Sequence, residues 1–139
     1  APGMATKMEA NKTADPRKPL GRLGEELAAG HLESLGWQIV ARNWRTRRGE
    51  IDIVARDGDW LVFVEVRTRR ASRTGGPPFL GRPEDSVTPK KQLRLARMAE
   101  AYLFTMPWSG SWRVDVLALE LDAGDAIARL AHFRDAVGG

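Results

Sequence analysis

Acidic residues recur at short intervals within residues 49–70, which read GEIDIVARDGDWLVFVEVRTRR. Two runs rich in β-branched and apolar residues, 51–55 and 60–66, flank the dipeptide Asp57-Gly58. This dipeptide between such runs is typical of a tight turn, because glycine adopts the positive φ that the turn needs. The stretch therefore predicts a β-hairpin.

The predicted hairpin gathers charge on one side of the sheet. A two-residue turn at Asp57-Gly58 places Asp52 opposite Phe63 and Glu50 opposite Glu65. Side chains alternate between the faces of a strand, so the charged residues of one face are Glu50, Asp52, Glu65 and Arg67. The opposite face, which we expect to contact a core, carries Val62, Val64 and Val66.

Carboxylates that share one face repel each other unless a cation compensates them. The expected compensation is Arg67, a divalent metal ion, or both. The alternative is an ordinary half-exposed hairpin whose polar face is solvated. The apolar neighbours of Asp52 and Glu65 favour a partly covered site over that alternative.

Composition limits the classes of function. The chain has 139 residues, enough for one domain, and its hydrophobic (42%) and charged (29%) fractions are typical of a globular protein. It has no cysteine and two histidines, which excludes disulfides and thiolate metal sites and disfavours a histidine-rich zinc site. No apolar run approaches the roughly 20 residues of a membrane helix, so we expect no membrane contact and a cytoplasmic location.

Periodicity predicts an α/β domain over residues 19–139, after a disordered tail at 1–18. We expect a helix at 20–35 that Gly36 ends, a strand at 37–43 followed by a basic connection at 43–48, and a strand at 112–121. Thr88 is the expected cap of a second helix, which Pro89 opens. Residues 71–86, rich in Gly and Pro, predict a long mobile loop beside the site. Residues 126–133 fit either a last strand or a short helix. The predicted architecture is a single domain with a central mixed sheet flanked by helices.

Particular helix positions carry further expectations. Glu25 and Glu26 are placed in the first turn of the first helix, where the helix dipole favours carboxylates. Gly24 is costly within a helix and suggests close approach of another backbone or a ligand. The expected buried face of the second helix consists of Leu93, Ala96, Ala99, Tyr102 and Leu103.

Basic residues cluster before and after the hairpin and on the second helix. The net charge is +4 and the pI is about 10.0, values that suit a polyanionic partner. Arginines interleaved with an aromatic residue can bind phosphates and stack on bases; equally, they can form a solvated surface. The candidate nucleic-acid contacts are Arg45, Arg47, Arg48, Arg69, Arg70, Lys90 and Lys91.

Several segments together resemble a known bacterial family. They are the 21–25 segment GRLGE, GEIDIVA at 49–55, FVEVRTR at 63–69, the helix start at 87–94, and RVDV at 113–116. The chain from about 20 to 133 resembles the YraN-type family within the PD-(D/E)xK nuclease superfamily, and is similar in layout to Holliday-junction resolvases. The resemblance implies a restriction-endonuclease-like αβββαβ core.

The resemblance also implies roles for individual residues. Asp52 and Glu65 would hold Mg²⁺ or Mn²⁺ together with the Val66 carbonyl, and Glu25 would reach the same site. The superfamily motif ends in lysine where this chain has Arg67. Arginine binds phosphate but does not deprotonate in proteins, so we expect water activation from the metal alone or help from Lys90 or Lys91, or a site that binds without cutting.

Three functions follow as hypotheses. The first is a metal-dependent endonuclease acting on DNA, with branched or structured DNA as a candidate substrate. The second is a nucleic-acid-binding module with a relict site, and the third is a subunit whose basic surface binds an acidic protein. A homodimer is plausible by analogy with resolvases.

Overall fold

A computed structural model describes residues 17–71 and 88–136 of the chain. Its elements, in chain order, are α1 (Arg17–Ser34), β1 (Gln38–Thr46), β2 (Gly49–Asp57), β3 (Trp60–Arg70), α2 (Pro89–Thr105), β4 (Ser111–Leu121) and β5 (Ile127–Phe133). The predicted α/β class and the αβββαβ order are confirmed, and the last segment is a strand rather than a short helix. The predicted tail and the predicted loop lie almost entirely outside the described residues.

The five strands form one sheet in the order β1-β2-β3-β4-β5. Neighbouring strands are antiparallel except for β3 and β4, which are parallel over their full length. A parallel pair needs a crossover connection, and α2 lies within that crossover. The sheet is therefore mixed, and the strand that carries Glu65 belongs to its one parallel pair.

The helices cover opposite faces of the sheet and create two cores. The α1-side core includes Ala28, Leu32, Ile53, Val62, Val64 and Leu117, with Val66 packed against it. The α2-side core includes Val54, Leu61, Phe63, Leu95, Tyr102 and Val116. Alternate residues of β3 thus enter different cores, as the period of two requires, and the face that carries Glu65 is covered by α2.

The predicted hairpin exists, but its register is wrong. Asp57 pairs with Trp60 and Val54 pairs with Phe63, so Phe63 does not lie opposite Asp52. The turn residues are Gly58 and Asp59, and the positive φ of +59° falls on Gly58. The partner of every paired residue moves by two positions, and an even shift leaves the side chains of the paired residues on their predicted faces. Glu50 lies outside this register and does not follow the prediction. Ile51 packs in the α2-side core and Ile53 in the α1-side core, so the alternation breaks between them, and Glu50 lines a cleft with residues of α1.

Three element assignments from the sequence need correction. Helix α1 begins at Arg17, so Glu25 and Glu26 lie in its middle and not in its first turn. Strand β1 continues to Thr46, because the basic segment predicted as a connection pairs with β2. In α2, Leu93 is 55% exposed; the buried residues are Leu95, Met98, Ala99 and Tyr102.

The local signals at helix ends were read correctly. Thr88 caps α2, and its hydroxyl accepts a hydrogen bond from the backbone N–H of Lys91 at 3.3 Å. Gly36 follows the end of α1 with a φ of +89°, a conformation that glycine adopts at little cost. The close approach predicted at Gly24 exists, but it is to a side chain rather than to a backbone or a ligand, since a Cβ there would overlap Thr68. This close approach seats α1 directly on β3.

Candidate functional site

The site begins where β2 and β3 diverge. The paired register of these strands ends at Ile53 and Val64. At the residue before Ile53, the acceptor is the side chain of Asp52 rather than a backbone carbonyl. Val66 donates its N–H to Asp52 Oδ2 at 2.8 Å. Asp52 is 8% exposed, so the alternative of an open, solvated polar face does not hold for this residue.

Asp52 is surrounded by negative charge. Burial raises its pKa, the neighbouring carboxylate of Glu65 raises it further, and Glu25 and Glu50 add to the effect. The hydrogen bond from the Val66 N–H lowers the pKa but is outweighed, so that the pKa of Asp52 reaches about 8. A carboxyl group with this pKa is one whose ionised form lacks compensation.

Glu65 meets a cation that the sequence did not single out for this contact. Its Oε2 lies 3.6 Å from a guanidinium nitrogen of Arg94 on α2. The separation is long for an ion pair, and the Glu65 side chain retains 16% exposure. Arg94 therefore leaves part of the Glu65 carboxylate open to another ligand. Neither Lys90 nor Lys91 makes an ion pair with a described residue.

Glu25 approaches the same place from α1. Burial raises the pKa of Glu25 and Glu50 raises it further, while Arg42 and a hydrogen bond from the Asn43 side chain lower it. These residues line a cleft of about 470 Å³ beside α1. The charge of Glu25 also raises the pKa of Asp52, and a site shared by the two carboxylates stays a prediction.

The donor set can be tested against a divalent metal. No group of three or more His, Cys, Asp or Glu side chains within residues 17–71 and 88–136 is arranged to hold a metal ion by itself. The available donors are the carboxylates of Asp52 and Glu65 and the carbonyl of Val66. Mg²⁺ commonly uses one or two carboxylates and keeps several waters. Two facing carboxylates, one of them buried and uncompensated, fit that requirement.

Arg67 follows two residues after Glu65 on the same strand. It lines a cleft of about 470 Å³ together with Glu65 and Val66. The side chain is half-buried and makes no ion pair with any residue in the described part of the chain. Arg67 is therefore placed to meet an anionic ligand beside Glu65.

The other basic candidates divide into two groups. Three are engaged within the sheet: Arg45 with Glu50 at 3.1 Å, Arg69 with Glu120 at 2.9 Å, and Arg70 with Asp125 at 2.6 Å. The remaining ones lie on the β1–β2 turn and at the start of α2: Arg47, Arg48, Lys90 and Lys91. The second group is the freer one for an external polyanion.

A second buried carboxylate lies on β4 and was not assigned a role from the sequence. Asp115 is fully buried and accepts hydrogen bonds from Arg113 Nε at 3.0 Å and from the Asp135 backbone N–H at 2.9 Å. His132 Nε2 lies 2.8 Å from its other oxygen. A lone aspartate between valines in an alternating strand is a signal for a buried, hydrogen-bonded carboxylate. Two of its partners, His132 and Asp135, are distant in sequence.

Within the described part of the chain, no helix is both long and apolar enough to cross a membrane. The fold and the site define a small α/β domain with a buried carboxylate, that of Asp52, where two central strands diverge.

The sequence places this domain in a family. The profile described as "Uncharacterised protein family UPF0102" matches residues 24–119, and the chain belongs to this family. The predicted membership of the YraN-type family is thereby confirmed.

Relatives agree over most of the chain. A "UPF0102 protein" of Herpetosiphon aurantiacus is 44% identical over 126 residues, which cover 87% of this chain and 95% of the relative. One of Acidothermus cellulolyticus is 58% identical over 91 residues, covering 66% and 64%. One of Chloroflexus aurantiacus is 44% identical over 125 residues, covering 88% and 96%.

Proposed function

We propose that this protein is a metal-dependent endonuclease that hydrolyses phosphodiester bonds of DNA. The observation that carries the proposal is the buried Asp52 carboxylate, which faces Glu65 and receives one backbone hydrogen bond. Such a pair is unfavourable without a cation and becomes favourable with one. Mg²⁺ or Mn²⁺ is the proposed cofactor, held by Asp52, Glu65 and the Val66 carbonyl.

The metal would supply Lewis acidity and a water of lowered pKa, which is the chemistry that phosphodiester hydrolysis requires. The protein's own residues would bind and orient the DNA. Arg67, free of ion pairs among the described residues, would bind the phosphate beside Glu65 through its planar guanidinium. Arg94 lies on the other side of Glu65 and would hold that carboxylate in place or contact a neighbouring phosphate. Glu25 would border the site from α1.

The proposal includes membership of the PD-(D/E)xK nuclease superfamily. Its support is the αβββαβ order, the acidic pair on adjacent strands, and the Glu on α1. The residue at the lysine position is Arg67, which is charged at all relevant pH values and therefore cannot act as a base. In the proposed mechanism the metal ion would supply the acidity that activates water, solvent would take up the proton, and Arg67 would stabilise the charge that develops on the phosphate.

The decisive experiment combines cleavage with metal binding. Single-stranded, duplex, flapped and four-way DNA are incubated with Mg²⁺ or Mn²⁺, and Mn²⁺ binding is followed by calorimetry. We expect cleavage of at least one substrate, and loss of both cleavage and Mn²⁺ heat in Asp52→Asn and Glu65→Gln. Glu33→Gln, an exposed glutamate on α1, is the matched control and should retain both. Mn²⁺ binding that persists in Asp52→Asn would contradict the proposed site.

A second candidate function is DNA binding without cleavage, and Arg67 is the observation that favours it. In this case Arg47, Arg48 and Arg67, which make no ion pair with a described residue, would bind DNA in EDTA with strong salt dependence, and no substrate would be cut. Arg67→Lys separates the two functions. It restores the superfamily motif, so it should introduce or enhance cleavage if the remaining site is competent, and leave a relict site inactive.

A further inference from the structure

A separate groove of about 660 Å³ lies between the β1–β2 turn and α2. Its rim is cationic, with Arg47 and Arg48 from the turn and Lys90, Arg94 and Arg97 from the helix. No carboxylate occurs among the described residues that line it. Apart from Arg94, these cations make no ion pair with a described residue. Charge of one sign at this density favours an anionic occupant.

The floor of the groove is apolar, which phosphate binding alone does not explain. It is formed by Leu93, Met98 and Ala101, and Leu93 exposes 55% of its surface. Phosphate groups gain nothing from such a floor, whereas the face of a nucleobase does. The Met98 thioether beneath is also a favourable neighbour for an aromatic ring.

An exposed aromatic ring extends the same surface. Phe104 is 89% exposed. In a helix with 3.6 residues per turn, Phe104 shares a side with Leu93, Arg97 and Ala101, and it follows Ala101 by about 4.5 Å along the axis. A fully exposed phenylalanine next to a cationic groove is the arrangement on which unpaired bases stack.

Bases of a continuous duplex are stacked on one another and present only their edges. A base that lies on Leu93 or Phe104 must therefore belong to an unpaired nucleotide. We propose that the groove and Phe104 bind single-stranded DNA, with bases on the apolar surface and phosphates on the surrounding cations. We call Leu93, Met98, Ala101 and Phe104 the base platform.

Arg94 connects the base platform with the carboxylate site. It lines the groove and lies 3.6 Å from Glu65, so a strand in the groove has a phosphate near the acidic pair. The preferred substrate then carries a single-stranded segment, such as a flap or an overhang, next to the bond that is cut. This last step rests on the proposed endonuclease function, whereas the binding of the single strand does not.

The test measures binding in EDTA, where no divalent metal contributes. Fluorescence anisotropy with an end-labelled oligodeoxythymidine is compared with a blunt duplex for the wild type, Phe104→Ala and Leu93→Ser. Loss of one stacked base corresponds to about ten-fold in affinity. We expect a loss of about this size for the oligodeoxythymidine in each variant, and duplex affinity within about two-fold of the wild type. Leu35→Ser removes another exposed leucine, 45% exposed at the end of α1, and should leave both affinities unchanged.

The possible results separate this inference from the endonuclease proposal. Selective loss of single-strand binding without any cleavage supports the platform and rejects the nuclease. Asp52-dependent cleavage of flapped and blunt DNA at equal rates, unaffected by Phe104→Ala, supports the nuclease and rejects the platform. Equal losses for both probes in the variants also reject it. So does self-association in analytical ultracentrifugation that Phe104→Ala abolishes while single-strand affinity stays the same, because the patch is then a contact between two copies.

Discussion

Two aspartates of the same sheet are buried to a similar degree and behave in opposite ways. Asp115 on β4 is compensated by Arg113, His132 and the Asp135 N–H. Burial raises its pKa, but these hydrogen bonds and the charge of Arg113 outweigh burial, and the pKa of Asp115 lies below its ordinary value. Asp52 on β2 receives one backbone hydrogen bond and has carboxylates as neighbours, and its pKa rises to about 8.

The difference separates a carboxylate that the protein itself compensates from one that it does not. Because Asp115 is ionised and accepts hydrogen bonds only, the His132 nitrogen that faces it carries the proton. Arg113 is further held by Asp57 at 3.3 Å and lies over the ring of Trp37. Every charge of this cluster thus has a partner within the protein. Asp52 has no cationic partner among the described residues, and a bound cation would provide one.

The largest expected effect concerns Asp115. Removing one member of a buried ion pair leaves the others uncompensated and costs about 3–5 kcal/mol. Asp115→Asn should therefore lower the free energy of unfolding, measured by urea denaturation, by about that amount. The control Asp125→Asn removes an exposed ion pair with Arg70 and should cost less than about 1 kcal/mol. Equal, small losses for both variants would contradict the contrast between the aspartates.

The next effect has the opposite sign. In Asp52→Asn the side-chain oxygen can still accept from Val66, while the uncompensated charge is gone. One pKa unit corresponds to about 1.4 kcal/mol, so even part of the shift from 3.8 to about 8 is measurable. We expect the variant in EDTA at pH 8 to be more stable than the wild type by about 1–3 kcal/mol.

The pH dependence of that gain follows from proton linkage. The unfolded chain loses the Asp52 proton near its ordinary pKa of 3.8, whereas the native protein retains the proton up to about pH 8. Between these values the native state binds more protons, so its stability falls as the pH rises. The advantage of Asp52→Asn over the wild type should thus grow from about pH 5 to about pH 8 in thermal denaturation. A constant difference would argue that Asp52 is compensated.

A smaller effect tests how α1 is seated against β3. A methyl group at Gly24 would overlap Thr68, and overpacking of this kind costs about 1–3 kcal/mol, partly offset by the higher helix propensity of alanine. We expect Gly24→Ala to lose about 1–2 kcal/mol. Gly30→Ala, with no atom within 4 Å of the added methyl, should instead gain up to about 1 kcal/mol. Thr68→Ala should restore much of the stability of Gly24→Ala; no rescue would place the strain elsewhere.

Local patterns predicted most of the fold. Strand alternation, the cap at Thr88 and the glycine at Gly36 act over a few residues, and each was recovered. The hairpin register was wrong because Asp57-Gly58 and Gly58-Asp59 both offer Gly58 to the turn. The gathering of Asp52 and Glu65 survived this error because the shift was by two residues.

Properties that depend on distant segments were not predictable in the same way. Both Leu93 and Leu95 begin plausible apolar stripes on α2, and only the position of the sheet decides that Leu95 is buried. The contact between Arg94 and Glu65 joins a long, flexible side chain to a strand that is far away in sequence. Two of the three partners of Asp115, His132 and the Asp135 N–H, likewise come from β5 and the residues after it.

The divergence of β2 and β3 also has a spectroscopic consequence. The Val66 amide proton is held by the Asp52 carboxylate rather than by a strand carbonyl, so its resonance frequency depends on the charge of that single side chain. In a ¹H–¹⁵N correlation spectrum the Val66 cross-peak therefore reports on the charge of Asp52. It shifts when Asp52 loses its proton, and it would shift again on binding of the proposed cation.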